Sequence, residues 1–305
     1  MNKYIYVSCM SNDRDYKGVL VIDYTLKKLN SKYKYFVFVT EQVSDKKKKI
    51  LLDNNINLIN VNFTDILSKY TDNKQFIEKI INKWYYTKFL IFSLEYEKIV
   101  YLDTDLLILE NIDHLFDLEL TNGTLYMVYD IQVGSLNDNK IVIFTENGYN
   151  SGVIVFKPSI DVFNKLYCEL INVGIDEFDK LHSDQSIFNL LINNNYLTYK
   201  NLDMKYNIPP VLVYDFLYYK FFDKPYIIHF MLKPKPWDLL DFTETISFYN
   251  KTTQQYFKQW INTYFEMCLI KYKENIGIEN NEQLYSNKYC YGLSKDNKIV
   301  VKLYK

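Results

Sequence analysis

Two aspartates interrupt an otherwise apolar run near the middle of the chain. The run extends from Lys98 to Leu109, and Asp103 and Asp105 lie two residues apart within it. In an extended chain such residues point to the same side, so the two carboxylates would converge. Two like charges in an apolar surround are costly unless a cation lies between them. The pattern therefore predicts a divalent metal site, and Mg²⁺ and Mn²⁺ are the ions that suit hard oxygen ligands and substrate phosphates.

An Asp-x-Asp pair is weak evidence on its own, because the same spacing arises by chance. A turn between apolar segments would more usually carry Gly, Asn or Pro, and none of these separates Asp103 from Asp105. A metal-dependent phosphohydrolase could use the same pair, but the extra carboxylates and histidines of a two-metal centre are missing. His229 follows a strand pattern, where a lone histidine is more typical of a structural hydrogen bond than of a metal ligand.

Strand and helix patterns alternate at the start of the chain. Apolar runs predict strands at 4–10, 35–40 and 56–61, and helical spacing predicts helices at 16–29 and 44–54, the second with Ser44 as N-cap. This alternation is typical of an α/β domain with a largely parallel sheet. Ligands of such sheets bind at the carboxyl ends of the strands, where Ser11, Asn12 and Asp103 would lie.

The remaining patterns extend this architecture. We expect helices at 76–94, 161–172 and 183–193, and strands at 125–129, at 153–156 and around 227–232. The polar segment 131–148 is a candidate for a mobile loop over the site. We expect one main domain over residues 1–240, with residues 241–305 forming a helical segment and a terminal hairpin packed on it.

Composition excludes several classes of protein. The 305 residues carry a formal net charge of −1, which gives no global attraction to nucleic acid or to an anionic membrane. The four cysteines are scattered without a C-x-x-C pair, as in proteins of a reducing compartment. Neither a signal-peptide pattern nor an apolar run of membrane-spanning length is present. We therefore expect a soluble cytoplasmic protein with no nucleic-acid partner and no membrane span.

Several short motifs occur in an order that resembles glycosyltransferase family 8, of the glycogenin and galactinol-synthase type. The resemblance covers about residues 3–240 and is carried by segments 8–18, 87–89, 101–105, 111–116, 150–153, 158–159, 184–185 and 229–237. It implies a GT-A fold, which is a Rossmann-like nucleotide-binding fold with a mixed, mostly parallel central sheet flanked by helices.

The resemblance also implies an activity. Members are metal-dependent enzymes that transfer a hexose, here glucose or galactose, from a UDP-sugar to an acceptor hydroxyl with retention of configuration. The acceptor would be a sugar, a polyol or a protein hydroxyl, and glycogenin modifies its own tyrosine. The implied cofactor is Mn²⁺ or Mg²⁺, and a homodimer is one oligomeric state to test.

The family's roles can be carried onto matching positions of this chain. The metal ligands would be Asp103, Asp105 and His229. Lys235 would contact the diphosphate and neutralise charge as the leaving group departs. The residues against the uridine would be Ser11, Asn12, Thr104 and Tyr16. The residues facing the transferred sugar would be Lys88, Asn150, Ser151, Asp184 and Gln185. Within this last group, the candidate catalytic residues are Lys88, Asp184 and Gln185.

Two positions depart from the family pattern. Leu232 stands where the family's loop has a glycine close to the phosphates, so its side chain could displace the loop or leave that contact to Lys233. The aromatic residue expected over uracil is displaced by one position, to Tyr16. Leu232, together with a composition of 30 Tyr and 20 Phe that indicates sequence drift, supports a second hypothesis, in which the protein is a catalytically weak nucleotide-sugar binder that serves as a partner or scaffold.

Overall fold

The computed structural model describes residues 3–130, 132–133, 143–144, 148–181, 183–210, 224–240, 251–273, 285–286, 289–293 and 299–303. Most of the predicted loop at 131–148 lies outside the described residues.

The strands of the described residues are β1 (Tyr4–Met10), β2 (Lys34–Thr40), β3 (Asn57–Val61), β4 (Lys98–Leu102), β5 (Leu106–Ile108), β6 (Thr124–Tyr129), β7 (Gln132–Val133), β8 (Ile143–Phe144), β9 (Tyr149–Phe156), β10 (Thr198–Asn201), β11 (Ile227–His229), β12 (Tyr285–Ser286), β13 (Tyr289–Leu293) and β14 (Ile299–Leu303). Seven of them form a central sheet in the order β10-β6-β9-β4-β1-β2-β3. Within this sheet β9 runs antiparallel to both of its neighbours, and the other pairs are parallel. The mixed, mostly parallel sheet predicted from the sequence is therefore confirmed.

The α-helices of the described residues are α1 (Tyr16–Lys28), α2 (Asp45–Asp53), α3 (Phe63–Leu67), α4 (Lys74–Asn82), α5 (Ile160–Asn172), α6 (Gly174–Glu177), α7 (Asp184–Asn193) and α8 (Lys251–Lys273). The Ser44 hydroxyl accepts a hydrogen bond from the Lys47 amide at 3.3 Å, which confirms the predicted N-cap of α2. No helix in these described stretches is long and apolar enough to cross a bilayer.

The central sheet is buried on both faces. Along β1, Tyr6 belongs to one apolar cluster, whereas Ile5 and Val7 belong to the cluster on the opposite face. Because the side chains on both faces of β1 pack against helices, the sequence of β1 is a continuous apolar run. Helix α8 contributes Trp260 and Phe257 to the same cluster as Tyr6. The C-terminal strands β13 and β14 pair antiparallel, and the division of the chain at residue 240 stays a prediction.

The apolar run that contains the two aspartates is two strands, and not the single strand that the sequence predicts. β4 lies in the central sheet, and after a turn at Asp103–Asp105 the chain continues as β5, which pairs antiparallel with β11. All residues of β5 are buried, and so are all residues of β4 except its first, Lys98. Because both strands are apolar throughout, the hydrophobic pattern does not reveal the break between them.

The predicted helix at 76–94 is also two elements. Helix α4 ends at Asn82, Lys83 adopts φ −99° and ψ 71°, and a 3₁₀-helical segment then extends from Trp84 to Ser93. Most of the 3₁₀ segment is buried, which accounts for its helix-like apolar content. The two elements place Trp84 and Lys88 beside the carboxyl end of β1.

Gly18 sets how closely α1 approaches the turn that carries the aspartates. A Cβ atom at this position would lie 2.0 Å from the Thr104 carbonyl oxygen and 2.9 Å from a ring carbon of Trp237. We expect Gly18→Ala to lower the free energy of unfolding by about 1–3 kcal/mol, because the helix and the turn must move apart. Urea denaturation measures this, with Lys27→Ala on the exposed side of α1 as control. Equal stability of Gly18→Ala and wild type would contradict the close approach.

Candidate functional site

The three predicted metal ligands lie together at the carboxyl end of β4. One ligand atom of each of Asp103, Asp105 and His229 falls within 4.8 Å of the other two. The Nε2 atom of His229 is 3.1 Å from Asp105 Oδ1 and 3.8 Å from Asp103 Oδ2. Asp105 and His229 are buried, and Asp103 is half-buried.

Backbone pairing brings these residues together from distant parts of the chain. The register of β5 and β11 places His229 opposite Leu106, which is the residue after Asp105. The Phe230 amide donates to the Asp105 carbonyl at 2.9 Å, and the Asp103 amide donates to the Gly152 carbonyl at 2.8 Å. The short β5–β11 pair, which the sequence does not predict, is therefore what delivers the imidazole to the aspartates.

Each aspartate has one oxygen held by a lysine and the other near the imidazole. Lys88 Nζ lies 3.2 Å from Asp103 Oδ1, which also accepts a hydrogen bond from the Tyr101 hydroxyl at 2.6 Å. Lys235 Nζ donates to Asp105 Oδ2 at 2.6 Å. The remaining oxygens, Asp103 Oδ2 and Asp105 Oδ1, are the two that lie within 4 Å of His229 Nε2. Three donor atoms thus converge from three side chains on one point.

The tautomer of His229 follows from its hydrogen-bond partners. The backbone amide of Gly152 donates to Asn150 Oδ1 at 2.9 Å, and Asn207 Nδ2 donates to the same oxygen at 2.7 Å. The other terminal atom of Asn207 is therefore its oxygen, and it lies 2.7 Å from His229 Nδ1. Because an amide oxygen only accepts, Nδ1 carries a proton, and Nε2 is the ring nitrogen that a metal ion would bind. Two carboxylates and one imidazole fit a divalent cation.

Gly152 makes room for the imidazole ring. A Cβ atom on Gly152 would lie 2.3 Å from Cε1 and 2.5 Å from Nδ1 of His229. No side chain fits in this space, so the ring packs directly on the backbone of β9.

Neighbouring charges outweigh burial at Asp105 and at Lys88. Burial raises the pKa of Asp105, but the neighbouring His229 and Lys235 lower it by more, so the net pKa lies below the ordinary value. Burial lowers the pKa of Lys88, but Asp103 and Asp184 raise it by more, and the net pKa is above the ordinary value. Asp105 is therefore ionised and Lys88 is positively charged at neutral pH.

The residues predicted to face the transferred sugar form two hydrogen-bonded groups, one around Lys88 and one around Asp130. Lys88 Nζ lies 2.9 Å from Asp184 Oδ2 and donates to the Ser151 hydroxyl at 2.9 Å, and that hydroxyl donates to Asp184 at 2.6 Å. Gln185 Nε2 donates to Asp130 Oδ2 at 2.8 Å, and Asn150 Nδ2 is 3.4 Å from Asp130 Oδ1.

Asp130 and Asn207 belong to this site, and the sequence did not single them out. Asp130 directly follows β6, so its place at the end of a strand is a signal that sequence reasoning could have used. Asn207 lies in an irregular segment before β11 and carries no such signal.

A cavity of about 510 Å³ opens beside the aspartates and extends toward the end of β1. The predicted site residues on its wall are Ser11, Asn12, Lys88, Asp103, Thr104, Asp105 and Lys235. Lys233 also lines the cavity, and the side chain of Leu232 is 54% exposed.

Tyr16 does not line this cavity. It is only 5% exposed, and the Lys47 ammonium lies 3.8 Å from the centre of its ring. The preceding residue, Asp15, lines the cavity instead, with its carboxylate accepting a hydrogen bond from Asn12 at 2.9 Å.

The fold of the protein is the GT-A fold that solved glycosyltransferases share. The galactosyltransferase LgtC, solved in complex with donor and acceptor sugar analogs, superposes with a TM-score of 0.57 and 14% identity, over 86% of this chain and 95% of LgtC. The glycosyltransferase GlyE of Streptococcus pneumoniae TIGR4 superposes with a TM-score of 0.56 and 16% identity, over 93% of this chain and 66% of GlyE. At these identities the similarity shows the fold.

The chain belongs to glycosyltransferase family 8, because the model described as "Glycosyl transferase family 8" matches residues 7–240. Glycogenin-1 of Oryctolagus cuniculus is 28% identical over 252 residues, which are 81% of this chain and 69% of that protein. Galactinol synthase 2 of Arabidopsis thaliana is 24% identical over 324 residues, or 96% and 90% of the two chains. The family and the GT-A fold predicted from the sequence are confirmed, and the function is glycosyl transfer.

Asn207 should matter for metal affinity although it is not a ligand. We expect Asn207→Ala to weaken Mn²⁺ binding by about 10- to 100-fold, because His229 loses the acceptor that fixes its tautomer and ring orientation. Isothermal titration with Mn²⁺ measures this, and Asn60→Ala on an exposed position of β3 is the control. Unchanged Mn²⁺ affinity in a folded Asn207→Ala protein would contradict the assigned role.

Proposed function

We propose that the protein is a metal-dependent retaining hexosyltransferase that moves glucose or galactose from a UDP-sugar to an acceptor hydroxyl. The observation that carries this proposal is the convergence of Asp103 Oδ2, Asp105 Oδ1 and Nε2 of His229 on one point beside the cavity. Hard oxygen donors with one imidazole suit Mn²⁺ or Mg²⁺, and such ions commonly complete their coordination with substrate phosphates.

The charges of the site support a diphosphate leaving group. A divalent cation held by Asp103, Asp105 and His229 would supply Lewis-acid stabilisation of the diphosphate. Lys235 already presents a fixed ammonium at the cavity wall, next to Asp105, where negative charge would develop as the glycosidic bond breaks. The lysine also donates to the carbonyls of Phe230 and Met231 at 2.7 and 2.9 Å, so its three N–H groups are engaged and hold the ammonium in place. It would stabilise the diphosphate through its charge, or by exchanging one of these hydrogen bonds for a phosphate oxygen.

The two groups around Lys88 and Asp130 would bind the transferred hexose. Lys88, Asp184 and Gln185 are the candidate catalytic residues, with Asn150 and Ser151 beside them. Asp184 is engaged by both Lys88 and Ser151, which holds its carboxylate in one orientation. Gln185 and Asp130 provide an amide and a carboxylate, which are groups that hydrogen-bond sugar hydroxyls. Ser11, Asn12 and Thr104, which line the cavity, would contact the uridine.

The alternative of a catalytically weak binder is supported by Leu232, whose exposed side chain replaces the glycine of the family loop, and by the Tyr- and Phe-rich composition. The hydrogen-bonded arrangement of Asp105, Lys235 and the Lys88–Asp184 pair supports an enzyme instead. The acceptor hydroxyl would belong to a sugar, a polyol or a protein, and a tyrosine of the chain itself is one such protein hydroxyl.

Removing one ligand charge tests the metal assignment. We expect Asp105→Asn to reduce Mn²⁺-dependent release of UDP from the donor sugar by about 100-fold or more, because the neutral amide holds the cation poorly. The melting temperature should change little. Asp53→Asn, which alters an exposed pair with Lys49, is the matched control and should keep full activity. Near-normal turnover by Asp105→Asn would remove the basis for this metal site.

Intact-mass spectrometry distinguishes the acceptors. The purified chain is incubated with Mn²⁺ and either UDP-glucose or UDP-galactose, and UDP release is measured in parallel. A mass increase by whole hexose units indicates self-glycosylation, and UDP release without a mass increase indicates water or an external acceptor. If neither sugar nucleotide is consumed in the presence of candidate sugar and polyol acceptors, the proposed donor class is wrong.

A further inference from the structure

We propose that Trp84 provides the aromatic surface on which the nucleobase of the donor stacks. The inference rests on the proposed function, because it names the base-binding residue of the same cavity. Trp84 lies next to the turn after β1, where its carbonyl accepts a hydrogen bond from Ser11.

The turn after β1 offers no exposed ring for this purpose. Tyr16 is buried, and its ring lies against Lys47. Asp15 lines the cavity in its place, and a carboxylate has no flat apolar face for a base. An aromatic contact must therefore come from another element of the wall.

Trp84 is the more exposed of the two tryptophans that line the cavity, the other being Trp237. The chain has three tryptophans, and the exposed fractions of Trp84, Trp237 and Trp260 are 48%, 4% and 0%. Trp84 lines the cavity together with Asp15 and the metal-binding aspartates, so one ligand can contact all of them. Leaving a large aromatic side chain half exposed in a cavity is typical of a binding surface.

The surroundings hold Trp84 in place beside the end of β1. Its carbonyl accepts hydrogen bonds from the Thr87 hydroxyl at 2.7 Å and from the Ser11 hydroxyl at 3.4 Å. The ring of Tyr85 packs edge-on, with a centroid distance of 5.8 Å and an interplanar angle of 71°. Trp84 also begins the 3₁₀ segment that carries Lys88, so base and sugar contacts would come from one rigid element.

Comparing two ligands isolates the base contact. The affinities of UDP and of inorganic pyrophosphate are measured by isothermal titration with Mg²⁺ for wild type, Trp84→Ala, Trp84→Phe and Tyr196→Ala. Tyr196 is an exposed aromatic residue away from the cavity and serves as the control. Stacking on one aromatic side chain corresponds to about a 5- to 150-fold difference in affinity. We expect Trp84→Ala to lose UDP affinity in this range and to keep its pyrophosphate affinity, and Trp84→Phe to keep most of both.

Tryptophan fluorescence provides a second readout. We expect UDP to quench the emission of the wild-type protein, and the quenching to be much smaller in Trp84→Phe, which still binds UDP. Quenching that is unchanged in Trp84→Phe would show that another tryptophan reports the binding, and would overturn the inference.

The remaining outcomes separate this inference from the proposed function. If Trp84→Ala binds UDP as well as wild type does, the inference is wrong and the proposed function stands. Equal losses for UDP and pyrophosphate would show that Trp84 only maintains the shape of the cavity, which also overturns the inference. If the wild type binds no UDP, the proposed function fails as well.

Discussion

The site depends on keeping several carboxylates close together inside the protein. Asp103, Asp105 and Asp184 share one buried region, where uncompensated like charges are strongly unfavourable. Lys88 lies between Asp103 and Asp184, and Lys235 lies on Asp105. Two ammonium groups against three carboxylates leave one carboxylate charge without a lysine partner. Asp103 Oδ2 and Asp105 Oδ1, the oxygens turned away from the lysines, face Nε2 of His229, so a cation bound there would complete the charge balance.

Local patterns were sufficient for much of the fold. Apolar runs predicted β1 and β2 within one residue, and the Ser44 cap marked the start of α2, because each depends on neighbouring residues alone. The breaks within 98–109 and 76–94 were missed, since buried segments remain apolar on both sides of a break. The pairing of β5 with β11 depends on contacts between residues over a hundred positions apart, which a pattern cannot report.

The candidate site shows the same limit. The convergence of Asp103, Asp105 and His229 came from the order of family motifs, whereas Asn207 acts only through its tertiary contact with His229 and left no trace in the sequence. The choice between Asp15 and Tyr16 at the cavity depends on the 3₁₀ turn at Asp13–Asp15, which rotates the tyrosine into the core.

The part of the chain beyond the family match also supports the cleft. The match ends at residue 240, but Trp260 of α8 packs against Trp237, and their ring centroids are 5.9 Å apart. Trp237 lies two residues after Lys235 in the same loop. Residues outside the family region therefore stabilise the loop that carries the lysine.

The hydrogen bonds that connect His229 to Asp130 through two asparagine side chains all run in the same direction. The imidazole N–H donates to Asn207, Asn207 donates to Asn150, and Asn150 points its amino group to the Asp130 carboxylate. The arrangement extends the familiar carboxylate–histidine pair by two amides, and it orients the ring nitrogen that faces the aspartates. A sugar hydroxyl that engages Asp130 would therefore contact the far end of the hydrogen-bonded chain that orients the imidazole.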